Sequence, residues 1–263
     1  MRNYWTLASQ MVYSFKKLTK KKLREHMPGI IINGPAGRIE ARYHHSKMEN
    51  APLALILHPA PERGGTMNHR IPYTMFNTFK EHGFSTLRFN FRGVGESQGL
   101  YDKGEGELSD AAAALDWMQS INPNAPYVWV GGFAFGAWIG MQLLMRRPEI
   151  KGFVAVTPPA NEIDFSFLAP CPQSGLILQG NKDNIVPEPM VEKVVERLNT
   201  QKGIEIDYRV IDGANHFYND HMEQMVDHIH DYLNIREVGQ RVTLKNVENS
   251  ASSKVMKTVK KAA

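Results

Sequence analysis

The chain has 263 residues, 42% apolar and 22% charged, enough for one sizeable core, and its single cysteine, Cys171, excludes an internal disulfide and a cysteine-based zinc site. Such cysteine usage fits a reducing compartment, so a cytoplasmic protein is expected. The net charge of +4 is unevenly spread: residues 1–26 carry +6 and residues 241–263 carry +5, leaving −7 on residues 27–240, and with no nucleic-acid-binding motif beside the basic ends no nucleic-acid partner is expected.

The chain opens with Tyr4, Trp5, Ala8, Met11, Val12 and Phe15 at helical spacing, followed by Lys16, Lys17, Lys20, Lys21, Lys22 and Arg24. This is the pattern of a basic amphipathic helix that rests on a membrane surface, and equally of an organelle transit peptide or a loosely ordered extension. Peripheral membrane contact through residues 1–26 is therefore one expectation. No apolar run is long enough for a spanning helix. A single domain is expected over residues 27–236, and residues 237–263 read as a basic disordered tail.

Within the domain, β-rich runs and helical runs follow one another. Strands are expected near Gly29–Asn33, Gly37–His44, Leu53–His58, Ser85–Phe91, Tyr127–Gly132, Gly152–Thr157, Ser174–Gly180 and Glu205–Ile211. Helices are expected near Asn68–His82, Leu108–Ile121, Phe135–Arg147, Glu188–Thr200 and Asn219–Leu233. The first two strands read as an antiparallel hairpin, and the alternation after them argues for a three-layer α/β fold with a mainly parallel sheet of about eight strands. The segment Pro158 to Pro172 is short, so no large lid is expected.

The run Tyr127 to Met141 passes from an apolar strand through Gly131-Gly132-Phe133-Ala134-Phe135-Gly136 into a helix. That is the layout of a hydrolase nucleophile elbow, with Ala134 where serine is required. A methyl group cannot attack a carbonyl. The other parts follow in the order that this chemistry uses: Asp183 just beyond a strand end as the orienting acid, then His216 in a turn after the last strand as the base. The backbone N–H of Phe135 and that of Ala60, in His58-Pro59-Ala60-Pro61, are the candidates for an oxyanion hole, because the flanking prolines have no N–H. His58 is a candidate for the cleft wall or for support of this loop.

Two features mislead. Gly95-Glu96-Ser97-Gln98-Gly99 matches the elbow pattern literally, but it does not pass from strand into helix, so Ser97 reads as a loop residue. In Asp227-His228-Ile229-His230-Asp231 the histidines are two apart on an expected helix and share no face, so no metal site is expected. No cofactor is expected either.

On His58-Pro59-Ala60-Pro61 with Gly64-Gly65-Thr66-Met67, on Arg88 to Ser97, on the elbow, and on the Asp183 and His216 motifs, residues 27–235 resemble the α/β-hydrolase superfamily, close to small bacterial hydrolases grouped with dienelactone hydrolases and dipeptidyl-peptidase-like proteins. The resemblance implies acyl hydrolysis by a serine at the position of Ala134, and often a histidine at that of Ala60. Three readings follow for a chain with alanine there. The nucleophile of an ester or amide hydrolase has been exchanged, by engineering or natural loss; or a non-catalytic relative binds a ligand or partner in the cleft; or the Asp183–His216 pair acts as a general base without a nucleophile. In the hydrolase reading the partner is a small-molecule acyl compound.

Overall fold

The computed structural model describes residues 28–236, so the readings for residues 1–26 and 237–263 lie outside the described residues. One sheet holds eight strands: β1 (Gly29–Gly34), β2 (Gly37–His44), β3 (Leu53–Leu57), β4 (Ser85–Phe89), β5 (Val128–Phe133), β6 (Ile150–Val156), β7 (Gly175–Gly180) and β8 (Ile206–Ile211). Their order is β1-β2-β4-β3-β5-β6-β7-β8. The β1–β2 and β2–β4 pairs are antiparallel and the remaining pairs are parallel. The helices are α1 (Arg70–Glu81), α2 (Glu105–Ile121), α3 (Phe135–Leu144), α4 (Glu188–Asn199) and α5 over 222–236.

Strand alternation sorts the core into two layers. Leu53, Leu55 and Leu57 of β3 and Val128 and Val130 of β5 pack with α2, α3 and α4, whereas Ala54, Ile56, Trp129 and Phe133 face α1 and α5. Central strands β3 to β7 are buried on both faces apart from Lys151, which is why β3, β5 and β6 read as nearly continuous apolar runs, whereas β4 buries the polar Ser85, Thr86 and Arg88. The three-layer α/β arrangement expected from the alternation of elements is the one observed. Among the described residues no helix is long and apolar enough to cross a membrane.

Element ends differ from expectation for local reasons. Helix α2 starts at Glu105 rather than Leu108 because the buried Glu107 carboxylate accepts the Asp102 and Gly104 N–H groups, at 2.9 and 2.7 Å, and closes the first turn. Helix α5 starts after Asn219, because the Asn215 side chain draws the Phe217 and Asn219 N–H groups into a turn. Ser97 lies in a loop, as expected, yet it is buried: its hydroxyl donates to Asn90 O at 2.7 Å and accepts the Glu40 N–H at 2.9 Å. It splices the loop to β2, and no helix follows it. His228 and His230 hold no metal cluster with their neighbours among the described residues.

Candidate active site

At the carboxyl edge of the sheet β5 runs into α3 through Ala134, whose backbone sits at φ 48, ψ −117. A non-glycine residue held at positive φ costs on the order of 1–3 kcal/mol and persists only where its surroundings impose it. Two glycines impose it here. A Cβ on Gly132 would lie 2.3 Å from Gly136 O, and one on Gly136 would lie 2.4 Å from Leu57 O, so the bare backbones of β5, α3 and the end of β3 meet. The Ala134 N–H donates to Val156 O at 3.0 Å, and Ala134 O accepts the Ala137 and Trp138 N–H groups.

Asp183 and His216 come together beside this turn. The His216 Nδ1–H donates to Asp183 Oδ2 at 2.8 Å. Asp183 Oδ1 accepts the Ile185 and Val186 N–H groups, each at 2.8 Å, and the Gln179 amide approaches Oδ2 at 3.4 Å. A buried carboxylate whose lone pairs are filled in this way is fixed, and it fixes the tautomer and orientation of the ring. With its Nδ1 proton committed, His216 has a bare Nε2. The His216 turn is itself anchored two residues on, where the buried Tyr218 hydroxyl and Thr157 Oγ1 are 3.0 Å apart.

Ala134, Phe135, Ala60 and His216 line one cleft of about 350 Å³, which also takes in His69, Phe133, Tyr101, Trp138 and Phe217. Phe135 is the first residue of α3, so its N–H has no intrahelical acceptor. The Ala60 N–H has no partner among the described residues, and Ala60 O accepts from Arg63 and Gly65, at 3.1 and 3.0 Å, to curl the loop. The rim carries Arg63 paired with Glu162 at 2.8 Å. Both side chains are well exposed, so this pair contributes at most about 1 kcal/mol.

His58 does not wall the cleft. It is fully buried: Nδ1–H donates to Pro59 O at 2.7 Å and Nε2 accepts the Phe91 N–H at 3.0 Å, so it braces the loop that carries Ala60. Burial drives its pKa from 6.5 to about 3, so the folded protein holds it neutral. The unfolded chain binds that proton below about pH 6.5, and the folded chain does not until about pH 3. Stability is therefore complete above pH 6.5 and falls as the pH drops towards 3, with about 2 kcal/mol lost between pH 7 and pH 5. Urea midpoints at the two pH values should show this loss in the parent and a clearly smaller one in His58→Gln. Equal losses would mean that other groups carry the pH dependence.

His69 escaped sequence reasoning. It caps α1, with Nδ1 accepting the Ile71 N–H at 3.4 Å, and its ring stacks on Phe133 at 5.3 Å. Burial first, and the neighbouring His216 second, pull its pKa below the ordinary histidine value. The available signal was a histidine at the very start of the helical run that follows β3.

A family profile for the alpha/beta hydrolase fold matches residues 55–173. An uncharacterized protein of Rickettsia prowazekii is 53% identical over 211 residues, which are 79% of this chain and 89% of that one. Among solved structures, a protein of unknown function from Agrobacterium tumefaciens, for which an alpha/beta-hydrolase identity has been suggested, is 57% identical, with a TM-score of 0.79 over 81% of this chain and 97% of that chain. An alpha-beta serine hydrolase homologue from Coxiella burnetii is 33% identical, with a TM-score of 0.72 over 78% of this chain and 97% of that one. Fold, sheet order and relatives spanned almost end to end agree, and the chain belongs to the α/β-hydrolase family.

Proposed function

We propose that this protein is an acyl-hydrolase scaffold of the serine-hydrolase type in which Ala134 holds the nucleophile position, so that it binds acyl compounds and hydrolyses them only marginally. One observation carries the reading: Ala134 keeps the strained elbow conformation in the same cleft as an Asp183–His216 pair fixed by buried hydrogen bonds. Strain of that kind serves the presentation of a side chain, and alanine has nothing to present. In this reading a bound acyl carbonyl takes the Phe135 and Ala60 N–H groups, and His216 Nε2 faces the position where a hydroxyl proton would be removed. No proton is there to take, and the acyl group stays on its own oxygen or nitrogen. The mostly apolar cleft, with Tyr101, Phe135, Trp138 and Ile163, suits an apolar acyl chain.

The test is covalent labelling. Ala134→Ser should react with a fluorophosphonate probe at residue 134, the parent should not, and Ala134→Ser with His216→Ala should again be silent. A well-folded Ala134→Ser protein that stays unlabelled would remove the scaffold reading and leave a binding protein in its place.

A further inference from the structure

Five non-glycine residues among those described hold a positive φ, and three of them, Ala134 at 48, Thr157 at 49 and Tyr218 at 52, stand at the elbow, at the end of β6 beside it and in the His216 turn. Thr157 is the least expected of the three. It is β-branched, which makes a positive φ an outlier, and it precedes Pro158, which confines the residue before it to extended conformations. It is also fully buried.

The conformation redirects the Thr157 side chain. Alternation along β6 sends Phe153 and Ala155 to the layer of α2, α3 and α4, and Val154 and Val156 to the layer of α1 and α5. Thr157, the next residue, would follow Phe153 and Ala155. Its Oγ1 instead lies 3.0 Å from the hydroxyl of Tyr218, which packs in the layer of Val154 and Val156. The positive φ breaks the alternation and turns the hydroxyl across.

Three chain segments are tied together at this point. Val156 O accepts the Ala134 N–H at 3.0 Å, so the residue before Thr157 holds the elbow. The Thr157 N–H donates to Leu178 O at 2.8 Å, in the strand β7 that leads to Asp183. The Thr157 hydroxyl meets that of Tyr218, two residues beyond His216. Burial pushes the Tyr218 pKa above the ordinary tyrosine value, so the contact joins two neutral hydroxyls, and removing either leaves the other buried without its partner.

Resting on the reading of this cleft as a serine-hydrolase scaffold, we propose that Thr157 is a positioning residue whose hydroxyl, through Tyr218, fixes the turn that carries His216 relative to residue 134. It touches neither ligand nor reacting atom. The strain at Thr157 then serves the same end as the strain at Ala134, since both set the geometry of one pair of groups.

The experiment uses three changes in the full chain. Thr157→Val exchanges the hydroxyl for a methyl and keeps the branched shape, Thr157→Ser keeps the hydroxyl and drops the methyl, and Tyr218→Phe removes the hydroxyl on the other side. With Ala134 in place, long-range proton–nitrogen NMR of the imidazoles reads the His216 tautomer. Thr157→Val and Tyr218→Phe should move His216 from the Nδ1–H pattern set by Asp183 towards an average of both tautomers, whereas Thr157→Ser should keep the parental pattern. In the Ala134→Ser background, Thr157→Val and Tyr218→Phe should each lower kcat for p-nitrophenyl acetate about tenfold per fluorophosphonate-titrated site, with KM within about twofold, and the two together should cost no more than either, because one bond is lost once. Thr157→Ser should recover most of that loss. A change of stability alone would reduce the number of titrated sites and leave kcat per site as it was.

A parental His216 tautomer in folded Thr157→Val and Tyr218→Phe proteins, a parental kcat per site in both, or a loss in Thr157→Ser in place of Thr157→Val would each overturn the proposal. Fluorophosphonate labelling of Ala134→Ser with kcat per site unmoved by these changes fails this proposal and leaves the scaffold reading standing. A moved tautomer without labelling removes the scaffold reading and keeps Thr157 as the residue that positions His216.

Discussion

Ala134→Ser should raise kcat/KM for an activated ester such as p-nitrophenyl acetate by at least about 10³-fold over the parent, towards a ceiling of ~10⁶ set by what removal of a triad serine costs elsewhere. The new hydroxyl needs no rearrangement. Its backbone is already at φ 48, ψ −117, its base is already oriented by Asp183, and the Phe135 N–H already leads α3. A factor of 10³ is about 4 kcal/mol of barrier, several times a single neutral hydrogen bond, so it requires nucleophile, base and oxyanion donors acting together. Non-additivity is the sharper signature. His216→Ala should return Ala134→Ser nearly to the parental rate, yet change the parent itself little, because a base without a nucleophile contributes little to either rate. A gain below about tenfold in a folded Ala134→Ser protein would show that these parts no longer converge.

The sequence made legible what local pattern determines. Short β-rich, mostly apolar runs located the strands, and Gly132 and Gly136 around Ala134 marked a turn that tolerates no crowding. Asp183 and His216 were found because each stands where a strand ends, and an α/β sheet gathers its strand ends at one edge. The residues left open or missed depend on pairing between distant segments. His58 precedes a proline turn whether its ring points into the cleft or into the core. Only the position of Phe91, which leaves β4 beside it and donates to its Nε2, settles that it points inward. His69 reads as a polar residue beside Arg70 at a helix start. Its neighbour His216 is 147 residues away, brought close by sheet order, and no periodicity reports that distance.

Gly136→Ala tests the physical basis of the elbow while leaving the side chains at Ala134, Asp183 and His216 unchanged. The added Cβ would lie 2.4 Å from Leu57 O, 2.6 Å from His58 O and 2.6 Å from Leu57 C, all of them backbone atoms of the core strand β3 and the residue after it. No flexible side chain can yield. Helix propensity favours alanine by about 1 kcal/mol, but overpacking against fixed backbone costs more, about 4 kcal/mol at this closeness, so a net loss of about 3 kcal/mol is expected. For a domain of this size that lowers Tm by roughly 6–12 °C. Gly64→Ala is the control: Gly64 has φ 75 with nothing within 4 Å of a built Cβ, so only the conformational cost of about 1 kcal/mol applies. In the Ala134→Ser background Gly136→Ala should also reduce ester turnover, because the chain that it displaces at Leu57 and His58 leads directly to the Ala60 N–H. Scanning calorimetry of the two glycine variants decides the matter. A Gly136→Ala protein melting within about 2 °C of the parent would mean that the β3 end can move aside, and that the strain at Ala134 is not imposed by this contact.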